Sequence, residues 1–248
     1  MTRRRWIADE HDVARNRAAL LGEHAAHLSR TLRAKVGQQF EISVGPNSAP
    51  RTYLGTILSV SDSRVEFELG APLEGAPGLY LKISLLLAVF KFDRMEWAIE
   101  KATELGVAAI YPVIARRTEK RFAEAATKRG HRWQRIALQA AEQSRRAELP
   151  SIAEPVPLLQ ALSLEGDLRI VLSEREGCLT LPDSLSSGFG RSLILAIGPE
   201  GGWTDDELAD FTEAGWKPAS LGTAILRAET AAVAAIAICI AASQTHPR

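Results

Sequence analysis

Two glycine-containing segments near the carboxyl end carry the residues best suited to chemistry. The first is Ile197-Gly198-Pro199-Glu200-Gly201-Gly202-Trp203. Glycines let a backbone approach a ligand closely and expose its N–H groups. The apolar run Leu193–Ile197 precedes them, as a strand does at the ligand crevice of an open α/β sheet. The spacing is not GxGxxG, and no Gly-Lys-Ser/Thr follows as in a phosphate loop. Acidic Glu200 disfavours a bare phosphate and suits a neutral or cationic ligand. A tight strand-to-helix turn holding nothing accounts for the same residues. The second segment, Leu221-Gly222-Thr223-Ala224-Ile225-Leu226-Arg227-Ala228-Glu229-Thr230, follows another short strand pattern. Two glycine turns on strands of one sheet would wall one pocket. The plainer reading is a connecting loop with Arg227 and Glu229 as a surface pair.

The elements that must position these segments read as α/β. Apolar strand patterns at Leu81–Val89, Val107–Ile114, Leu168–Leu172 and Leu193–Ile197 alternate with helical patterns at Arg94–Leu105 and His131–Ala147. Apolar runs without polar alternation indicate a parallel sheet covered on both faces. Thr204-Asp205-Asp206-Glu207 is a capping box that opens a helix after the first glycine segment. Pro218–Leu221 is a short extended segment. The last helix, from about Glu229 to Ser243, is apolar on every side and therefore expected to be buried all round, in the core or against another subunit. The first part of the chain differs. A short helix is expected over Ala25, Leu28, Leu32 and Val36, then alternating strands at Phe40-Ile42-Val44, Arg51–Val60 and Val65-Phe67-Leu69. Residues 1–72 form a small β domain, 73–79, rich in Gly and Pro, a linker, and 80–248 the α/β domain.

The chain has 248 residues, 46% hydrophobic, which is enough to bury one large core or a medium core with a satellite, and excludes a disordered tail or a disulfide mini-protein. Thirty Lys+Arg balance thirty Asp+Glu, so no global basic field announces nucleic acid. The distribution is uneven, however. Residues 1–40 hold 8 basic and 4 acidic, 91–150 hold 13 and 8, and 151–248 hold 6 and 13. The two basic zones can take phosphates. They comprise Arg3, Arg4, Arg5, Arg30 and Arg33 in the first, and in the second Arg116, Arg117, Lys120, Arg121, Lys128, Arg129, Arg132 and Arg135. A solvated helical face accounts equally for 120–135. Cys178 and Cys239, the only cysteines, cannot build a disulfide framework or a cysteine zinc site. No metal is expected, and His24 and His27, three apart, lack a third ligand. The Arg3-Arg4-Arg5 start meets Asp9 and Glu10 where an export signal needs apolar residues. The run Ala231–Ala242 is too short for about 30 Å of hydrocarbon. The expected location is cytoplasmic, with no membrane partner. Trp97 and Trp133 are expected in the core, and Trp203 beside a ligand.

Taken together, Lys101-Ala-Thr-Glu104-Leu-Gly106-Val107, Ala140-Ala-Glu142-Gln143-Ser144-Arg145-Arg146, Ile197–Trp203 with Glu207, and Leu221–Ala231 resemble the ribosomal small-subunit RNA uridine-N3 methyltransferases of the SPOUT class, the RsmE family. Arg4-Arg5-Trp6 and His27–Arg33 extend the resemblance over nearly the whole chain. It implies a PUA-like β-barrel before a trefoil-knotted parallel-sheet methyltransferase domain. It also implies S-adenosylmethionine held by backbone groups of Ile197, Gly198, Pro199, Glu200, Gly201, Gly202, Leu221, Gly222, Ile225 and Leu226, and a homodimer formed through the C-terminal domain. The implied substrate is N3 of a uridine in 16S ribosomal RNA. Uracil N3 bears a proton, so the transfer needs a base or cationic donors. The candidates are Arg117, Arg146, Arg227 and Glu229, with Glu200 as the other carboxylate. RNA contacts are assigned to Arg4, Arg5, His27, Arg30, Arg33 and Arg116. The chain departs from the family pattern at Ala224 (usually Arg), Ala228 (usually Thr) and Arg145 (usually Gly or Ala). A non-catalytic RNA-binding protein with the same fold is the competing expectation.

Overall fold

The computed structural model describes residues 4–45, 50–73, 81–175, 177–186, 188 and 190–245. The chain divides into two compact units, Met1–Gly78 with Gln139–Leu149, and Leu79–Leu138 with Pro150–Arg248.

The first unit is built on strands β1 (Arg5–Ile7), β2 (Glu10–Asp12), β3 (Arg17–Leu21), β4 (Gln39–Val44), β5 (Arg51–Val60) and β6 (Arg64–Pro72), with helix α1 (Gly22–Ala26) continued by a π turn, His27–Thr31. The strands lie in the order β1-β4-β5-β6-β3-β2. Ala8 N–H donates to Ser43 and Asp9 N–H to Ala19, at 2.9 and 3.0 Å, so one continuous stretch pairs with strands on both sides of the sheet. The expected alternation holds: Phe40, Ile42, Val44, Val65, Phe67 and Leu69 all point into a core that also holds Trp6, Leu20 and Leu28. The helix expected to reach Val36 stops earlier. Arg33 turns left-handed (φ 50°) and the Ala34 N–H returns to the Leu28 carbonyl at 2.9 Å, leaving Leu32 and Val36 exposed. Of the predicted linker 73–79 only Leu73 lies within the described residues, and its N–H still bonds the Thr52 carbonyl at 2.7 Å.

The second unit contains β7 (Lys82–Ala88), α2 (Phe92–Glu104), β8 (Ala109–Ile114), α3 (Lys120–Ala126), most of α4 (Gly130–Gln143), β9 (Ser151–Ile152), β10 (Val156–Pro157), α5 (Leu158–Ala161), β11 (Leu168–Leu172), α6 (Leu181–Leu185), β12 (Ser192–Ile197), α7 (Asp205–Glu213), β13 (Lys217–Ala219) and α8 (Ala228–Thr245). The sheet order is β10-β8-β7-β12-β11-β13, with β9 beside β8, and every pairing is parallel. Successive side chains serve opposite faces. Ile83, Leu85, Leu87, Leu193, Leu195 and Ile197 join one core, while Leu86, Ala88, Ile194 and Ala196 join the other, which is why these strands are apolar throughout.

One expectation needs correction. Trp133 is fully buried, but Trp97 is 43% exposed, because the inward stripe of α2 is Met95, Ala98, Ile99 and Ala102. Helix α8 is not buried all round within this chain. Ala228, Ala232, Ala235, Ile236 and Cys239 are buried, with α2 and α6 among its neighbours, but Thr230, Ala237 and Ala241 are exposed. Burial lifts the Cys239 thiol to about 12.

Candidate active site

Strand β11 lies between β12 and β13, so the loops leaving these three carboxyl ends are neighbours. Together they wall a cavity of about 610 Å³. All ten residues expected to hold the cofactor line it: Ile197 to Gly202 from the loop after β12, and Leu221, Gly222, Ile225 and Leu226 from the loop after β13. The third wall, Leu172 to Arg175 after β11, escaped the sequence analysis. The signal was available, since a strand end followed by Ser-Glu-Arg-Glu-Gly is a third loop on the same sheet edge.

The glycine positions of the walls present bare backbone, and side chains are disfavoured there. A Cβ on Gly198 would stand 3.2–3.4 Å from the Trp203 indole, and one on Gly201 would stand 3.3 Å from Arg117 Cδ. Gly202 and Gly222 have φ of 69° and 109°, which L side chains rarely adopt. Trp203 is buried edge-on to Phe211, at 5.0 Å between centroids, and so serves as a floor beneath Gly198.

Ionic contacts fix these loops. Arg117 Nη1 donates to the Gly201 carbonyl at 2.7 Å and to that of Trp203 at 3.4 Å. The capping box is present: Glu207 N–H donates to Thr204 Oγ1 at 3.2 Å while Thr204 N–H donates to Glu207 Oε2 at 2.8 Å. The other oxygen of buried Glu207 accepts from the Arg116 N–H at 2.7 Å, which joins the end of β8 to the start of α7. Arg175 pairs with Asp205 at the cavity rim. Arg94, in the first turn of α2, also lines the cavity. Its Nη1 lies 2.5 Å from Glu200 Oε1, and its Nε lies 3.8 Å from Glu229 Oε1. Sequence reasoning missed Arg94, which sits more than a hundred residues from either partner. The expected Arg227–Glu229 surface pair is thereby replaced. Glu229 turns toward Arg94, and its Oε2 is buried without a hydrogen-bond partner among the described residues.

The proposed catalytic groups divide between the two units. Arg117 and Arg227 line the cavity, and Glu229 lies one residue beyond its lining residue Ala228. Arg146 belongs to the first unit, where burial pulls its guanidinium down from the ordinary arginine range against the charge of Glu148. It remains cationic throughout the range in which proteins fold.

The first unit has a polar cluster of its own. Glu142, with no exposed side-chain surface, pairs with Arg4, accepts from the Ile7 N–H at 3.2 Å and lies 3.5 Å from His24 Nε2. His24 Nδ1 meets Asp9 at 3.0 Å. Burial works against a charged His24, but the Asp9 hydrogen bond and the Glu142 charge outweigh it and raise the ring's pKa. Burial likewise opposes a charged Asp9, yet the hydrogen bonds from His24 and the Leu21 N–H bring it down. Burial and the nearby Arg4 lower His27, whose ring lies 5.6 Å from Trp6. The Arg4 guanidinium stands 4.4 Å over the same indole. Helix α4 ends with Arg146 N–H on the Ala141 carbonyl (2.8 Å) and Arg145 N–H on that of Glu142 (3.3 Å), with Arg145 left-handed at φ 60°. Arg145, one of the noted departures from the resemblance, pairs here with Glu41.

Most residues expected to contact RNA already hold carboxylates. Arg4 pairs with Glu142, Arg5 with Glu41, Arg30 with Asp62 and Arg116 with Asp206, while Arg33 is exposed. In the 120–135 block, Arg129 and Arg132 share Glu96, Arg121 pairs with Glu119 and Lys120 with Glu124. Among the described residues no His, Cys, Asp and Glu group could hold a metal, and no helix is long and apolar enough to cross a membrane.

Comparison with known proteins bears on this arrangement. Residues 78–240 match the model of the RNA methyltransferase domain family. The ribosomal RNA small subunit methyltransferase E of Synechocystis is 32% identical over 219 residues, covering 85% of this chain and 68% of that protein. That of Bacillus subtilis is 30% identical, covering 88% and 87%. A putative methyltransferase from Legionella pneumophila, solved with SAM bound, superposes with a TM-score of 0.85 at 32% identity, covering 96% and 97% of the two chains. The Neisseria gonorrhoeae ribosomal RNA small subunit methyltransferase E, solved with S-adenosyl methionine, gives 0.83 at 29%, covering 94% and 95%. The parallel-sheet α/β fold, the domain match and the relatives agree, and the chain belongs to the ribosomal RNA small subunit methyltransferase E family.

Proposed function

We propose that this protein uses S-adenosylmethionine to methylate N3 of a uridine in 16S ribosomal RNA. The observation that carries the reading is the cavity at the ends of β11, β12 and β13. Its volume falls within the range of small-molecule sites, about 300–1,000 Å³. The residues fit the cofactor: Ile197, Leu172, Leu221 and Leu226 offer apolar walls, the glycine loops offer backbone groups, and Glu200 offers a negative border to a cation. When bound, that cofactor supplies an activated methyl group on a positively charged sulfur. The chain's remaining work is alignment and management of the N3 proton. Glu229 Oε2, buried and without a hydrogen-bond partner among the described residues, is the acceptor assigned to that proton. Arg117 and Arg227, which line the cavity, are the positive groups assigned to steady the uracil anion.

The same reading assigns residues 1–72 as a PUA-like barrel that contacts RNA through Arg4, Arg5, His27, Arg30 and Arg33, with Arg116 contributing from the domain at 80–248. Support comes from the Arg5–Asp12 stretch, which pairs on both sides of its sheet. Because four of these arginines hold carboxylates, each phosphate must displace one, so the salt dependence of binding falls below the count of basic residues. The trefoil knot is proposed from the family resemblance, and the strand order, with β12 and β13 on either side of β11, is compatible with it. A homodimer is supported by the small apolar residues Ala237 and Ala241 exposed on α8, and the cytoplasm is proposed as its location from the ribosomal substrate alone. The test is transfer of labelled methyl from the cofactor to small ribosomal subunits, followed by mapping of the modified nucleotide. Label on N3 of a single uridine is expected, with Glu229→Gln reducing turnover at least tenfold. Label on another base or atom overturns the assignment.

A further inference from the structure

We infer that Arg94 sets the charge of the cofactor site, so that the site tells the positively charged methyl donor from its uncharged thioether product. The inference rests on the proposed cofactor and concerns a residue outside both glycine segments. Arg94 is the cation between two carboxylates from different loops: Glu200, at 2.5 Å, after β12, and Glu229, at 3.8 Å, at the start of α8. The three groups together carry one net negative charge. Arg94 and Glu200 both line the cavity, at about one-third exposure, while Glu229 is 12% exposed and turns one oxygen away from every donor among the described residues. The surplus negative charge of this triad is local: it stands at the border of a site whose ligand changes charge during turnover, and whose other charged lining residues are Arg117, Arg227, Glu174 and the Asp205-paired Arg175.

The donor has a sulfonium, an ammonium and a carboxylate, for a net charge of plus one. Loss of the methyl cation leaves a neutral thioether, an ammonium and a carboxylate, for a net charge of zero. A negative border favours the first over the second, and Arg94 limits how far. With both carboxylates uncompensated the donor would be held more tightly still. With Glu200 neutralised the three-group border becomes neutral and the distinction shrinks. Arg94 also spans from α2 to both loops, so it is a positioning residue, and loss of positioning alone would weaken both ligands alike.

The experiment is calorimetric titration of the full chain with S-adenosylmethionine and with S-adenosylhomocysteine, at low and at high salt. The measured quantity is the ratio of the two Kd values. Arg94→Met is expected to shift that ratio toward the donor by roughly threefold or more, the size expected when one unit charge is removed from within about a Debye length of another. Arg94→Lys should restore it, Glu200→Gln should shift it the opposite way without changing volume, and high salt should compress all three differences. Ratios unchanged in both Arg94→Met and Glu200→Gln, with binding retained, overturn the inference. Should Arg94→Met fail to fold, Glu200→Gln decides alone. If the unaltered chain binds neither compound, it is the cofactor assignment that fails.

Discussion

The cavity and the Glu142 cluster of the first unit are built by opposite means. The cavity is shaped by what is missing: glycines at 198, 201, 202 and 222, two with tight neighbours and two in left-handed backbone. The Glu142 cluster is shaped by what is present, a carboxylate with no exposed surface that joins Arg4, His24 and the Ile7 N–H. A backbone-walled site is broken by adding a methyl group. A side-chain cluster is broken by removing a charge.

The largest effect is expected where the second rule applies. Glu142→Leu should cost about 3 kcal/mol, because the partly buried Arg4 cation, the His24 ring and the Ile7 N–H are left without their partner. Urea unfolding would measure it, and a loss below 1 kcal/mol would mean that the cluster is hydrated in solution. The first rule is tested by Gly198→Ala. The added carbon meets the Trp203 indole at 3.2 Å, and we expect at least a tenfold loss of S-adenosylmethionine affinity with a stability loss of about 1–3 kcal/mol. Tight cofactor binding by that variant would show that Trp203 yields and that the wall is not rigid.

Arg145 sharpens the comparison at intermediate size, since it combines left-handed backbone with a charged pair. Arg145→Gly should be more stable than Arg145→Ala by about 1 kcal/mol, because both lose Glu41 but only glycine relieves the φ of 60°. Equal midpoints would put the cost of that turn near zero. The smallest effect is the pH dependence. His24 has a folded pKa above its ordinary 6.5, so its contribution is fully present below that value and is lost as pH rises through the raised one. Asp9 works in reverse: its contribution is present above 3.8 and is lost as pH falls through the depressed value. His24→Asn should flatten the high-pH side of the stability profile, whereas a profile identical to that of the unaltered chain would refute the assignment.

The cavity's two glycine walls were legible because each rests on local grammar, a strand end followed by residues that tolerate close approach. The capping box at Thr204 was legible for the same reason, four residues long and complete in itself. Arg94 and the second role of Glu207 were not, since their partners come from distant positions brought together only by strand order. Trp97 misled because a helix carries more apolar residues than its buried stripe can use. Arg33 stopped a helix whose apolar spacing continued past it, and nothing in an arginine announces a left-handed turn.

The order in which the three walls leave the sheet has a consequence for synthesis. Ser173–Arg175 and Ile197–Trp203 are made well before Ser220–Ala231, yet all three line one space. A nascent chain halted after α7 would own two walls of a vessel that cannot yet hold its contents. Ligand binding can therefore contribute to stability only after the last helix has left the translating ribosome and found α2.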